Sequence, residues 1–322
     1  MGNKLIVVTG GLGFIGTNLI LSLLENNQDE IIICDNRVTP KHHIFSKIKI
    51  IESEKLLEFL LKNKNYLKAI IHLGAITDTT ERNIELILKN NYYFSLELWN
   101  FCSRFNIKFI YASSAATYGD GNLGFDDNLK LSNLSKLYPL NPYGWSKHLY
   151  DIKVTRSSLE EKLSPKCWAG LKFFNVYGPN EDHKGAQSSV AYQMIKQIKS
   201  GQPITLFRSH NNEYKDGEQM RDFIYVEDCV SVINWFLNRN EFTGIYNVGS
   251  GKARNFLDLA TATCQFMDVD LKINWIDTPE NVREQYQYFT QANMDKLYQI
   301  GYNEDFYTLE KGIEKYTKIY TG

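Results

Sequence analysis

A tyrosine and a lysine four residues apart, Tyr143 and Lys147, are the first residues in this sequence that suggest chemistry. On a helix, side chains at this spacing share one face. A lysine cation beside a phenol lowers the phenol pKa from about 10, so the tyrosine could act as a general base on a hydroxyl while hydride leaves the adjoining carbon. Ser114 follows a predicted strand and could hold the reacting oxygen. The alternative for Ser114 is a helix or turn cap.

Glycines at positions 10, 13 and 16 lie between an apolar run and a segment with helical spacing. Such a turn brings backbone N–H groups and the positive end of a helix dipole to a pyrophosphate. Asp35 ends the next apolar run about 20 residues on, where an acidic side chain is expected to bind the ribose of a dinucleotide. Asp35 favours NAD, whereas Arg37, Lys41 and His42 could instead receive the 2′-phosphate of NADP, so both cofactors remain open.

Short apolar runs lie at residues 4–9, 31–34, 69–73, 109–112 and 168–174. Segments with helical spacing, such as residues 90–105, alternate with these runs. This alternation indicates a parallel sheet covered on both faces. We therefore predict an α/β fold, a Rossmann-type doubly wound parallel sheet with a smaller α/β substrate lobe. Residues 222–226 and 244–248 are predicted to be strands that return to the sheet, and residues 209–219 to be a polar surface excursion.

The two predicted domains interleave along the chain. The dinucleotide-binding domain is expected to span residues 1–173, with further segments at about 222–248 and 288–300. The substrate-binding domain is expected to comprise about 174–221, 249–287 and 301–322.

Composition argues against several classes of protein. The 322 residues carry a formal net charge of −1, so bulk charge favours neither nucleic acid nor an anionic membrane as a partner. The cysteines are scattered and His42-His43 has no third ligand at metal spacing, so we expect neither disulfides nor a metal site. No apolar run reaches the ~18 residues of a membrane span. We expect a soluble protein of the reducing cytoplasm.

Taken together, Thr9-Gly10-x-x-Gly13-x-x-Gly16, Ser114 and Tyr143-x-x-x-Lys147 resemble the extended short-chain dehydrogenase/reductase family, whose members act on nucleotide-sugars. The resemblance covers nearly the whole chain. Residues 111–119 and 221–226 carry motifs that are shared widely in that family. His183-Lys-Gly185 and Tyr286-Gln-x-Phe-Thr-Gln-Ala292 are narrower, and they resemble its heptose-nucleotide epimerases.

The resemblance implies one tightly bound NADP or NAD per subunit. The residues implied to contact this cofactor are Gly10, Gly13, Phe14, Ile15, Gly16, Asp35, Asn36, Leu73, Gly74, Ala75, Ile76, Thr77, Asn90, Lys147 and Val176. It also implies a homo-oligomer, a pentamer by family likeness. A dimer through the helices from Asn90 and Tyr143 is the alternative.

The resemblance further implies that Tyr143 and Lys184 are the two acid/base groups, with Ser114 and Lys147 assisting. An epimerase removes hydride from one face of a carbon and returns it to the other, so two differently placed groups are useful. Without the resemblance, Lys184 would be interpreted as a solvated loop lysine. The implied contacts of a nucleotide-diphospho-heptose substrate are Ser114, Asn175, Ala186, Gln193, Phe207, Arg208, Ser209, Arg221 and Tyr286.

Some of these positions have alternatives. Ala186 and Gln193 occupy positions where the family usually has serine and histidine. Both lie in the predicted substrate lobe, so these differences are expected to affect substrate recognition and to leave hydride transfer intact. Arg221 could instead form a surface ion pair with Asp222 or Glu218, and Tyr286 could simply pack.

Two other functions remain open. One is a 4-epimerase or 4,6-dehydratase of the same family, although a dehydratase usually has an Asp-Glu pair where this chain has Ala115-Ala116. The other is a non-catalytic dinucleotide sensor. Such sensors commonly lack the tyrosine or the lysine, and this chain retains both.

Overall fold

The structure, a computed structural model, describes residues 4–26, 29–37, 42–128, 130–160, 163–283 and 286–321. The strands are β1 Leu5–Thr9, β2 Glu30–Cys34, β3 Lys49–Ile51, β4 Leu67–His72, β5 Lys108–Ser114, β6 Trp168–Phe173, β7 Asn175–Tyr177, β8 Ile204–Phe207, β9 Met220–Tyr225, β10 Thr243–Val248, β11 Ala253–Asn255 and β12 Ile273–Ile276. The helices are α1 Phe14–Asn26, α2 Ser53–Asn63, α3 Ile84–Ile87, α4 Phe94–Phe105, α5 Leu131–Leu134, α6 Pro142–Leu159, α7 Val190–Lys199, α8 Val226–Leu237, α9 Phe256–Phe266, α10 Glu280–Arg283, α11 Asp295–Gln299 and α12 Leu309–Thr321. Short 3₁₀ segments cover His43–Lys47, Ala115–Tyr118 and Asp182–Gln187, and a π-helical turn covers Leu88–Tyr93.

The central sheet is seven-stranded and parallel, in the order β10-β6-β5-β4-β1-β2-β3. All residues of β1 and β6 are buried, as expected for strands with helices packed on both faces. The chain runs outward from β1 through β2 to β3 and then crosses to β4 on the other side of β1. This reversal creates a crevice at the carboxyl ends of the strands. The predicted Rossmann-type α/β fold is confirmed.

Two returning strands were predicted for the central sheet, and the structure places only one of them there. Residues 243–248 form its edge strand β10. Residues 220–225 form β9, which pairs with β7 and β11 in a separate three-stranded sheet, so that prediction is wrong. An apolar run shows that a strand is buried, but it does not identify the edge with which the strand pairs. Here the chain leaves the central sheet after β6 and forms β7 outside it, and β9 pairs with β7 in parallel.

Two hydrophobic clusters accompany the sheets. The larger surrounds the central sheet, and the smaller joins α7, α9 and α12 through residues such as Ile195, Leu259 and Ile313. Residues 209–219 contain turns and bends without a helix or strand, as predicted. The domain boundaries stay a prediction.

Candidate active site

The glycine turn after β1 has positions that admit no side chain. Gly10 has φ +66°, and a Cβ there would lie 2.6 Å from the Gly74 backbone nitrogen. A Cβ at Gly16 would collide with the Gly10 carbonyl oxygen. Helix α1 therefore starts close against the loop after β4, with no side chain between them. A pyrophosphate can approach the first N–H groups of such a helix, so the turn fits a dinucleotide.

A cavity of about 610 Å³ opens at the carboxyl ends of the central strands. Every residue predicted to contact the dinucleotide lines it, from the glycine turn through residues 73–77 to Asn90 and Val176. The four predicted catalytic residues line the same cavity, together with Asn175. The structure thus brings together residues from both predicted lobes.

Asp35 directly follows β2 and lies beside the glycine turn. Its Oδ2 accepts a hydrogen bond from the Leu12 N–H at 3.0 Å, and its Oδ1 accepts one from the Arg37 N–H at 3.0 Å. The Arg37 guanidinium, half exposed, lies 3.5 Å from Oδ1. His42 hydrogen-bonds Asn180 at 2.8 Å and does not line the cavity, whereas Lys41 lies outside the described residues. A carboxylate and a guanidinium therefore share the end of β2.

The first two turns of α6 present Tyr143 and Lys147 to the cavity. Asn141 caps this helix by accepting a hydrogen bond from the Gly144 N–H at 2.8 Å, and Pro142 occupies the first turn. Both features are visible in the sequence and start the helix at the right residue. The two side chains then share one face, as their spacing predicts.

The lowered pKa expected for Tyr143 beside a lysine and a nicotinamide stays a prediction, because only the effect of the protein's own groups is seen here. Burial raises the pKa of Tyr143, a hydrogen bond with Ser114 lowers it by less, and Asp151 raises it further. Lys147 is itself buried, and burial lowers its pKa from 10.5 to about 8. Its Nζ donates to the Ala112 carbonyl at 2.9 Å. Burial thus favours the neutral form of both side chains, because desolvation penalises the phenolate of Tyr143 and the ammonium of Lys147.

Lys184 belongs to the 3₁₀ segment 182–187, which follows β7 in the predicted substrate lobe. Its Nζ lies 5.5 Å from the centre of the Phe14 ring, at the start of α1. Burial lowers the pKa of Lys184, and the nearby Glu181 carboxylate opposes this shift. The side chain is therefore a partly desolvated amine in the cavity that also holds Tyr143.

The other predicted substrate residues do not line this cavity, and some of them form a second group. The Arg221 guanidinium lies 5.1 Å from the centre of the Tyr286 ring, which is 6.3 Å from that of Phe207. Arg208 and Ser209 are instead held by Asp216, through an ion pair of 3.0 Å and a backbone hydrogen bond of 2.8 Å.

Gln193 and Ala186 are held within one segment of the predicted substrate lobe. The Gln193 amide donates to the Ala186 carbonyl at 3.3 Å and to the Ser188 carbonyl at 3.0 Å. Gln193 therefore braces the residues that follow Lys184.

Arg221 does not form the surface ion pair considered as its alternative. It is only 8% exposed. The Asp222 carboxylate accepts hydrogen bonds from the backbone of Ser250 and Ala292 at 2.6 and 2.9 Å. Within the described ranges, no carboxylate lies at ion-pair distance from Arg221, whose Nη1 donates to the Met220 carbonyl at 2.8 Å. A buried guanidinium without an anionic partner is suited to binding an anionic ligand.

A buried hydrogen-bond network centred on Asp151 was not predicted from the sequence. Its carboxylate accepts hydrogen bonds from the Tyr111 hydroxyl at 2.8 Å, the Ser113 hydroxyl at 2.7 Å and the Lys172 ammonium at 2.7 Å. The network therefore anchors the end of β5 that carries Ser114. A lysine within the apolar run of β6 is the signal that could have revealed it.

A second buried network surrounds His72, which is a hydrogen-bonded core histidine. Its Nδ1 lies 2.6 Å from the Thr9 hydroxyl and its Nε2 lies 2.8 Å from the Ser95 hydroxyl. Burial lowers the pKa of His72 to about 3, and Lys147 adds to this shift. The ring is therefore neutral at pH 7.

The parallel sheet, the glycine turn and the cavity at the strand ends define a dinucleotide-binding α/β protein of the Rossmann type. A family model described as "NAD dependent epimerase/dehydratase family" matches residues 6–249. The chain belongs to this family. Among the described residues we find no helix able to cross a membrane and no cluster of potential metal ligands.

Several named proteins are similar to this chain over almost its whole length. The ADP-L-glycero-D-manno-heptose-6-epimerase of Fusobacterium nucleatum is 41% identical, over 98% of this chain and 98% of that protein. The protein with that name from Brachyspira hyodysenteriae is 36% identical over 98% of this chain and 97% of that protein. The crystal structure of the Helicobacter pylori ADP-L-glycero-D-manno-heptose-6-epimerase superposes with a TM-score of 0.80 at 29% identity, covering 98% of this chain and 96% of that one.

Proposed function

We propose that this protein inverts C6 of ADP-glycero-manno-heptose, from the D-glycero to the L-glycero form, for bacterial heptose and lipopolysaccharide core biosynthesis. The observation that carries the proposal is the placing of Tyr143 and Lys184, from two different parts of the chain, in one cavity with the glycine turn. The names of the relatives support the same reaction.

The glycine turn, Asp35 and residues 73–77 would hold NAD or NADP, one per subunit. When bound, this cofactor accepts a hydride from the sugar carbon and returns it. Asp35 would bind the adenosine ribose. Because Arg37 partly neutralises that carboxylate and lies beside it, the site accommodates a 2′-hydroxyl or a 2′-phosphate.

Proton transfer at the sugar hydroxyl is assigned to Tyr143 and Lys184. Oxidation of an alcohol to a ketone releases the hydroxyl proton to a base, and reduction of the ketone on its other face takes a proton from an acid. Burial raises the pKa of Tyr143 and lowers that of Lys184, and the two groups reach the cavity from different parts of the chain, so each can exchange a proton with the sugar oxygen from its own side. Ser114, which hydrogen-bonds Tyr143, would hold the reacting oxygen.

The diphosphate of the substrate is assigned to Arg221, with Tyr286 beside it. A planar guanidinium donates two parallel hydrogen bonds to phosphate oxygens. The arginine paired with Arg221 across the strands is Arg254, which binds Asp258 and Glu310 at 2.9 and 2.7 Å. Arg254 is thus satisfied by protein carboxylates, whereas Arg221 is available to a ligand.

Assembly and location complete the proposal. A homo-oligomer is proposed, a pentamer by family resemblance with a dimer as the alternative, which sedimentation will distinguish. The cytoplasm is the proposed location, and the five free cysteines support a reducing compartment.

Incubation with ADP-D-glycero-D-manno-heptose, followed by NMR, tests the function. We expect conversion to the L-glycero epimer by the wild-type protein and a loss of about 100- to 10,000-fold in Tyr143→Phe and Lys184→Met. Lys196→Met removes an exposed lysine of the same lobe and should convert substrate like the wild type. No conversion by wild-type protein with cofactor bound would contradict the reaction, and full activity of Lys184→Met would contradict the second acid/base role.

A further inference from the structure

Asn18 lies on α1, the helix that begins after the glycine turn, and its side chain contacts the predicted substrate lobe. The side-chain amide donates to the Pro179 carbonyl at 2.9 Å, and the side-chain oxygen accepts a hydrogen bond from the Asn180 amide at 3.1 Å. The Asn18 amide also donates within the helix to the Phe14 carbonyl at 2.9 Å. Asn18 does not line the cavity at the carboxyl ends of the central strands. The proposed reaction therefore does not yet account for these contacts.

The residues that Asn18 contacts belong to an anchor segment, residues 178–181, which is also held from its other end. Glu181 is fully buried there. Its carboxylate accepts hydrogen bonds from the Ser189 hydroxyl at 2.7 Å and from the Tyr316 hydroxyl at 3.2 Å. Ser189 caps α7, and Tyr316 belongs to α12. The anchor segment is therefore fixed to α1 by Asn18 and to the two helices of the other lobe by Glu181.

Lys184 lies three residues beyond the anchor segment. Its backbone N–H donates to the Glu181 carbonyl at 3.0 Å, within the first turn of the 3₁₀ segment 182–187. Its Nζ lies 5.5 Å from the centre of the Phe14 ring. Phe14 precedes Asn18 by four residues, so the two side chains lie on the same face of α1. One face of this helix therefore contacts both the anchor segment and the lysine that follows it.

We propose that Asn18 is a positioning residue for Lys184: its hydrogen bonds dock the anchor segment on α1 and so set the distance between the lysine and the reacting carbon. The inference rests on the proposed acid/base role of Lys184. Such a distance matters because a displacement of about 1 Å can reduce a reaction rate about 100-fold. An asparagine side chain suits this role since it donates and accepts at once, and here it matches a carbonyl and an amide of the anchor segment.

Asn18→Ala tests this role in the full-length protein with its dinucleotide bound. We expect kcat for epimerisation to fall about 10- to 100-fold. KM and the affinity for the dinucleotide should change little, because Asn18 does not line the cavity. Asn26→Ala is the matched control and should keep the wild-type kcat, since Asn26 is an exposed residue of the same helix that makes the same type of hydrogen bond, to the Ser22 carbonyl at 3.0 Å. A wild-type kcat in Asn18→Ala would overturn the proposal.

A double variant separates positioning from a general structural effect. If Asn18 acts through Lys184, Asn18→Ala combined with Lys184→Met should have the same kcat as Lys184→Met alone, because the lysine to be positioned is gone. If Asn18→Ala lowers kcat by the same factor with and without Lys184, then Asn18 supports the site in general and the proposal is wrong.

Hydrogen exchange gives a readout that does not depend on turnover. In Asn18→Ala, the backbone amides of residues 178–187 should exchange about fivefold faster than in the wild type, whereas Asn26→Ala should leave them unchanged. Equal exchange in Asn18→Ala and wild type would overturn the docking of the anchor segment. If the wild type fails to convert the nucleotide-sugar but Asn18→Ala still shows the faster exchange, the proposed reaction is wrong and the docking by Asn18 is upheld.

Discussion

Replacing Arg221 by methionine should weaken substrate binding without weakening the fold. The guanidinium is buried among aromatic rings, 5.1 Å from the centre of Tyr286 and 5.7 Å from that of Phe256. Because the cation is buried and poorly solvated, the pKa of Arg221 is lowered. Methionine has a similar length and keeps the apolar contacts with both rings.

The expected magnitudes follow from these contacts. A hydrogen bond to a charged group contributes about 1.5–3 kcal/mol, so losing one raises KM for the nucleotide-sugar about 10- to 150-fold, with kcat changed little. Loss of two cation–π contacts costs about 1–2 kcal/mol, and relief of the buried charge offsets it. The free energy of unfolding should therefore stay within about 1 kcal/mol of wild type.

Arg254→Met is the matched control, because Arg254 is the cross-strand partner of Arg221 and already binds two carboxylates. Both pairs are partly exposed, so this variant should lose only about 1 kcal/mol of stability and keep its KM. Steady-state kinetics and thermal unfolding of both variants give the comparison. An Arg221→Met protein that unfolds several degrees earlier than wild type but keeps its KM would refute the reasoning, because Arg221 would then be a structural residue.

Three further outcomes are expected. Gly16→Ala brings a methyl group against the Gly10 carbonyl, so dinucleotide binding measured by calorimetry should be lost, and normal affinity would contradict the tight turn. The pKa of His72 is lowered from 6.5 to about 3, so between these pH values the unfolded chain binds more protons than the folded protein. The free energy of unfolding from denaturant titrations should therefore be at its full value above pH 6.5 and fall by up to about 5 kcal/mol towards pH 3. If a His72→Gln protein shows the same loss of stability in acid, His72 is not its cause. Lys172→Met leaves the Asp151 carboxylate buried without its cation and should cost about 3–5 kcal/mol in unfolding free energy, whereas a change below 1 kcal/mol would show that the pair is dispensable.

Much of the cofactor side of the site was predictable because its signals are local. The glycine turn requires glycine wherever two backbone segments come too close for a side chain. Asn141 and Pro142 are residue types that favour the first positions of a helix, and they mark the start of α6. Apolar runs also identified β1, β2, β4, β5, β6 and β10. Each of these features depends on residues a few positions apart, so the order of amino acids is sufficient to recognise it.

The substrate side was less predictable, because its residues meet only through packing. β9 was expected in the central sheet, yet it pairs with β7 and β11, since the apolar pattern of a strand does not specify its neighbour. Lys184 was a candidate only through family resemblance, and the 3₁₀ segment after β7 brings it beside Phe14. The predicted Arg221 contacts remain a proposal that the variants above will test.

By itself, the sequence determined the class of fold, the glycine turn and the pairing of Tyr143 with Lys147 on one helix face. Only the tertiary structure decided how far those groups are buried, which raises the pKa of Tyr143 and lowers that of Lys147. It also decided which of two neighbouring arginines has carboxylate partners. The physical reason is that desolvation and charge pairing depend on atoms brought together from distant parts of the chain, whereas turns and helix faces depend on near neighbours.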